Sequence, residues 1–146
     1  MKLLDVSKAL LRQAEARLKD GREAAQDKNF PYCVRLSAEC VELSLKSVLK
    51  LVGIEYPKKH DVSGVFLAVI NRFPEWFRNQ VPKMAESNKI LTKKREPALY
   101  GGEEAFLTPE DVISKEDATD AIKRAEETFN LCKKFLDTYK TAFRNK

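Results

Sequence analysis

One histidine, His60, is all the chain has, and that limits its chemistry before anything else is read. Three cysteines, Cys33, Cys40 and Cys132, contain no CxxC pair, so with the single histidine they lack the paired-ligand spacing of a structural zinc site. An odd number of cysteines on helical positions reads as small apolar residues in a reducing compartment, not as a disulfide frame. No run approaches 18 consecutive apolar residues, so no membrane span is expected. The first twenty residues, MKLLDVSKALLRQAEARLKD, turn charged too early for a secretory leader, which makes the expected location cytoplasmic. Five glycines and six prolines in 146 residues leave room for few turns, hence few and long elements. There is no strand-period run, no internal repeat and no phosphate-loop pattern of the GxxxxGK[ST] kind.

What the chain does have is helical periodicity. The expectation is one all-α domain over residues 1–146, an antiparallel up-down bundle of four to five helices. A first helix spans 3 to about 27, with Leu3, Val6, Leu10, Ala14, Leu18, Gly21 and Ala25 on its inner face. Pro31 then opens the central helix, which Gly53 closes. That helix carries two apolar stripes, one of Val34, Ala38, Val41, Leu45, Val48 or Leu49, and Val52, the other of Leu36, Cys40, Leu43 and Leu51. Between them runs a narrow polar seam of Arg35, Glu39, Glu42, Lys46 and Lys50. An apolar surface on two sides suggests that one chain cannot cover both, which points to a homodimer. Asp61 is a candidate N-cap for a third helix through Phe73. Pro74 breaks that helix, and Pro82 predicts either a kink or a fresh start in the next. Residues 95–113 read as a long loop, and Ser114 caps a last helix whose stripe runs Ala118, Ile122, Ala125, Phe129, Cys132, Leu136, Tyr139 and Phe143.

Three groups of residues offer chemistry. Glu39, Glu42 and Lys46 in the seam either pair as surface ions or line a cleft for a charged ligand. Lys58, Lys59 and His60 precede the third helix, where free N–H groups and adjacent ammonium groups would suit a phosphate; an ordinary loop histidine is the alternative. Arg95, Tyr100 and Glu103 belong to the loop, beside Gly101 and Gly102, whose conformational freedom would let a ligand approach the backbone. A net charge of +5 is compatible with a polyanionic partner, although acidic and basic residues are interspersed. Nothing calls for a cofactor or a metal.

The order of these features resembles the HEPN-domain family. The residues that carry the likeness are Glu42 and Lys46 in VELSLKSVL, His60-Asp61, the segment REPALYGGEE, Thr108-Pro109, and Glu116 to Ala118, across about residues 5 to 140. The resemblance implies a dimeric helical bundle, often encoded beside or fused to a minimal nucleotidyltransferase in toxin–antitoxin-like pairs. Many members cut RNA without a metal, using an arginine followed four to six residues later by histidine. Here Gly53 to Tyr56 occupy the place where such an arginine would precede His60, and no histidine follows Arg95. The expected function is therefore non-catalytic: binding of a nucleotide or of a minimal nucleotidyltransferase partner. A metal-independent endoribonuclease using Arg95, His60 and Tyr100 is the alternative, and a purely structural helical adaptor the third. The endoribonuclease requires His60 to lie within reach of an arginine in space.

Overall fold

The computed structural model describes residues 2–102 and 106–144, with side chains through Tyr139. Four long helices dominate: α1 (Lys2–Gln26), α2 (Phe30–Leu51), α5 (Val81–Tyr100) and α7 (Lys115–Arg144). Between α2 and α5 lie α3 (Ser63–Ala68), a 3-10 turn (Ile70–Arg72) and α4 (Glu75–Arg78), and α6 (Pro109–Val112) precedes α7. The all-α bundle expectation holds.

Two helix ends explain the α1–α2 hairpin and the stop of α2. After α1, the Lys28 and Asn29 N–H groups return to the carbonyls of Ala25 and Ala24, with Lys28 at φ 62°. After α2, Gly53 and Ile54 do the same to Lys50 and Leu49, with Gly53 at φ 76°. Both are Schellman closures, satisfying carbonyls that a helix end otherwise leaves free. At the other terminus of the bundle, Ser114 Oγ accepts from Asp117 N while Asp117 Oδ2 accepts from Ser114 N, so Ser114 does cap α7.

α2 is the core of the protein. Val34, Val41, Leu45, Val48 and Leu49 are completely buried, as is Cys40, with Leu36 and Leu51 nearly so. Its neighbours are α1, α5 and α7, and small residues set the closest approach. Cys33 Sγ lies 3.8 Å from the Ala118 carbonyl and Cys40 Sγ 4.0 Å from that of Ala125. Gly21 of α1 sits where an added Cβ would stand 3.3 Å from Ile122 Cδ1. One chain thus covers both apolar stripes of α2, and the two-sided helix ceases to be an argument for a dimer. At one end Phe66, Phe73, Phe77 and Phe135 form an aromatic cluster, with the Phe77 and Phe135 ring centroids 4.7 Å apart.

Several local expectations change. Leu3 and Val6 are exposed, while Ser7, Ala14, Leu18, Gly21 and Ala24 face inward. Residues 95–100 are helical and not loop. Pro97 lies within the last turn of α5, where it removes one donor while Ala98 and Leu91 remain packed. Pro82 marks a fresh start and no kink, at the first turn of α5 after the short α4. The third helix is only six residues long and gives way to the 3-10 turn before Phe73. Tyr139 is partly exposed, and the Phe143 side chain lies outside the described residues, as does Glu103.

Candidate functional site: a charged groove along α2

The seam of α2 faces away from α7, between α1 and α5. At about 100° per residue, Arg35, Glu39, Glu42, Lys46 and Lys50 fall within one sector of the helix surface, clear of Cys33 and Cys40. Arg17 of α1 reaches in from one side, its Nε 3.4 Å from Glu39 Oε1. From the other side comes Arg95 of α5.

Glu42 is the hub. One carboxylate oxygen accepts from Lys46 Nζ at 2.7 Å and the other lies 2.9 Å from His60 Nδ1. Arg95 Nη1 stands 3.0 Å from the second ring nitrogen, Nε2. An ionised carboxylate only accepts and a guanidinium only donates. The geometry therefore selects the tautomer in which His60 Nδ1–H donates to Glu42 and Nε2 accepts from Arg95. Glu42 and Lys46 are 14% and 13% exposed, so this ion pair is largely removed from water, while His60 remains 50% exposed.

His60 is placed by a residue far from it in sequence. Asn88, buried in α5, donates from Nδ2 to the His60 carbonyl at 3.1 Å and accepts from Val62 N at 2.8 Å. Asp61 is not the helix N-cap, a position held by Val62. Its carboxylate accepts instead from Ser63 N at 2.9 Å and Ser63 Oγ at 2.6 Å. Burial opposes the Asp61 charge, but the Ser63 hydrogen bonds and the nearby Lys89 and Lys59 outweigh it and hold its pKa below the ordinary value. The N–H groups of Val62 and Ser63 are thus already taken by side chains, which leaves those of Gly64 and Val65 as the first-turn donors of α3. Tyr56 closes this end of the groove, with Lys46 Nζ and Lys50 Nζ each 5.4 Å from its ring centroid. Burial first, then the charges of Glu55 and Glu42, push its hydroxyl pKa up.

Of the residues singled out from sequence, the structure unites Glu42, Lys46, His60 and Arg95, with Glu39 one turn along the same seam. Lys58 and Lys59 are exposed beside this cluster and enter none of its hydrogen bonds. Tyr100 is elsewhere: five residues beyond Arg95, it lies about 140° further around α5. There it lines a separate cleft of about 840 Å³ with Lys93, Pro97, Gly102 and Ile113. Asn88, Arg17 and Tyr56 were not foreseen. Asn88 did leave a signal, as the one polar residue in the inward series Val81, Met84, Asn88, Leu91. Among the described residues, no group of three or more His, Cys, Asp or Glu side chains could hold a metal ion, and no helix is long and apolar enough to cross a membrane.

Four long helices with a carboxylate–histidine–arginine chain along the central one define a small all-α bundle domain. Comparison with known proteins makes the family explicit: the HEPN domain model matches residues 7–135, and the chain belongs to that family. A protein of Methanocaldococcus jannaschii named "Putative toxin MJ1304" is 32% identical over 136 residues, covering 89% of this chain and 88% of its own length. The crystal structure of ST0689, an archaeal HEPN homologue, shares the fold with a TM-score of 0.65 at 24% identity, over 89% of this chain and 97% of that one.

Proposed function

We propose that this HEPN domain binds a phosphate-bearing ligand, a nucleotide or RNA, in the α2 groove, with Arg95, His60 and Lys46 as the contacting groups. One observation carries the reading. Arg95 and His60, 35 residues apart in sequence, meet at 3.0 Å on a solvent-open surface, and Glu42 and Asn88 fix the histidine from behind. A guanidinium whose neutral partner is an imidazole nitrogen can exchange that contact for a charge-assisted bond to phosphate, which is the stronger of the two. A nucleotide panel tests this by thermal shift. A ligand at one hundred times its Kd adds about 2.7 kcal/mol to stability, which for a domain of this size corresponds to roughly 5–10 °C in Tm. Arg95→Ala is expected to abolish the shift while costing much less in Tm, and Lys46→Ala to abolish it with a stability loss of its own from the unpaired Glu42; no shift with any nucleotide or RNA ends the reading.

The same geometry favours a second reading, metal-independent RNA cleavage. A histidine oriented by a carboxylate through Nδ1 presents Nε2 as a base, and an incoming phosphodiester would draw Arg95 off that nitrogen. Nε2 would then take the proton of a ribose 2′-hydroxyl as its oxygen attacks phosphorus. The 5′-oxygen would leave with a proton from solvent or from the imidazolium, yielding a cyclic phosphate, and Arg95 would stabilise charge on the phosphoryl oxygens. Similarity to a protein named as a toxin supports testing this, and supports looking for a paired nucleotidyltransferase by co-purification. Cleavage of RNA in EDTA that is lost in His60→Ala would favour this reading; binding without cleavage favours the first.

A further inference from the structure

The groove does not end at His60. One turn of α2 toward its N-terminus, the pattern repeats with different residues. Glu39 lies between two guanidinium groups, Arg17 Nε on Oε1 and Arg35 Nε near Oε2, each at 3.4 Å. Arg35 Nε is enclosed yet makes no hydrogen bond at that separation, so its pairing with Glu39 is incomplete. Two guanidiniums on one carboxylate leave a surplus positive charge. Arg35 also stands over the Tyr32 ring, 5.8 Å from its centroid, and Tyr32 is 42% exposed. Each half of the groove thus holds one glutamate, an excess of cationic side chains and a tyrosine against one of them: Tyr32, Arg35, Arg17 and Glu39 in one, Tyr56, Lys46, Arg95 and Glu42 in the other.

Helix register shows that the halves are continuous. Lys94 of α5 pairs with Asp117 at 2.9 Å, and Cys33 of α2 touches the Ala118 carbonyl, so Arg95 springs from α5 at the level of the first turns of α2. Its side chain then reaches to His60, beside Glu42, and thereby spans the interval between the two clusters. Arg35 and Lys46 are eleven residues apart, about 16 Å along the helix axis, too far for the phosphates of one nucleotide.

We propose that the α2 seam is a two-point track for a single extended oligonucleotide. Arg95 and His60 hold one phosphate, and the Tyr32–Arg35 pair holds a second nucleotide of the same strand, its base on the open face of Tyr32 and its phosphate on Arg35. The proposal rests on the phosphate-binding reading above and adds the second point of contact. Stacking on an exposed ring tolerates any base, so this end contributes affinity and a length requirement with little sequence preference.

The test uses the full chain, a fluorescent single-stranded RNA of about eight nucleotides carrying 2′-O-methyl groups so that it cannot be cut, and AMP as competitor. Tyr32→Ala and Arg35→Gln are each expected to weaken oligonucleotide binding roughly 5-fold or more, while AMP affinity stays within about twofold of wild type. Arg35→Gln should also lower the slope of log affinity against log salt by about 0.7. Tyr32→Phe, which keeps the ring, is expected to bind and melt like wild type and guards against a folding defect. Arg95→Gln should weaken both ligands. If Arg95→Gln weakens binding but Tyr32→Ala and Arg35→Gln do not, the second contact point is wrong and the phosphate site stands. Equal loss of AMP and oligonucleotide in the Tyr32 and Arg35 variants would make the groove one site and overturn the two-point track. If wild type binds neither ligand, the phosphate reading itself fails and the track with it.

Discussion

Replacing Glu42 by glutamine keeps the shape of the groove hub and removes its charge. Lys46 Nζ, 2.7 Å away and 13% exposed, would then be an ammonium largely out of water with no counter-ion. Exposed ion pairs contribute about 0.2–1 kcal/mol, whereas removing one partner of a fully buried pair costs about 3–5 kcal/mol. A pair exposed by about one-seventh falls between these, so the expected loss is about 2 kcal/mol. Equilibrium urea unfolding should report it directly, and a thermal melt should show a drop of roughly 4–8 °C. Lys46→Met in the Glu42→Gln background removes the stranded charge and keeps the apolar stem against Tyr56, so the double variant should recover about 1 kcal/mol relative to the sum of the singles. A Glu42→Gln loss below about 0.5 kcal/mol, or strict additivity in the double variant, would refute the claim that this pair is energetically buried.

Other outcomes follow from single contacts. Asn88→Ala strands the buried Val62 N–H and frees the His60 carbonyl; about 1–3 kcal/mol should be lost by urea unfolding, together with the nucleotide thermal shift if that shift depends on His60. Gly101→Ala would place a Cβ 2.0 Å from the Leu107 carbonyl oxygen at φ 77°, so a clear fall in Tm and altered proteolysis near residue 101 are expected. Lys28→Gly relieves a left-handed backbone at φ 62° and should raise stability by about 0.5 kcal/mol. The Ser114 N–H first, and then Lys94, hold the Asp117 pKa below the ordinary carboxylate value against the effect of burial. A depressed folded-state pKa gives stability that is present above the unfolded value and lost as pH falls through the folded one. Asp117→Asn should therefore melt lower than wild type at pH 7, with the gap closing below about pH 4.

The long helices were legible because their signals are local and repeated. Proline at the start of α2, Gly53 at its end, Ser114 before α7 and apolar spacings of three and four each act within a few residues. The 95–100 segment was misread for the complementary reason. Pro97 is a breaker by its own chemistry, but a single lost hydrogen bond in a last turn is tolerated when Leu91 and Ala98 are already packed. Leu3 and Val6 fit an inner stripe of α1, yet periodicity cannot say which side of the helix its neighbours cover, and Ser7 is the buried residue there. The same blindness produced the dimer argument, since two apolar sides of α2 look uncovered until three other helices are in place.

By itself, the sequence determined that the chain would be helical, that α2 would be its apolar centre, and that a charged seam would run along it; it also marked Glu42, Lys46, His60 and Arg95 one by one. The tertiary structure decided which of them lie together. A linear search for arginine near histidine finds nothing here, because no arginine lies within six residues of His60. Folding instead brings Arg95 from α5 to His60 in the α2–α3 connection, with Asn88 and Glu42 fixing the histidine from two further directions. Side-chain periodicity is a property of one helix, and that contact is a property of how separate helices are docked.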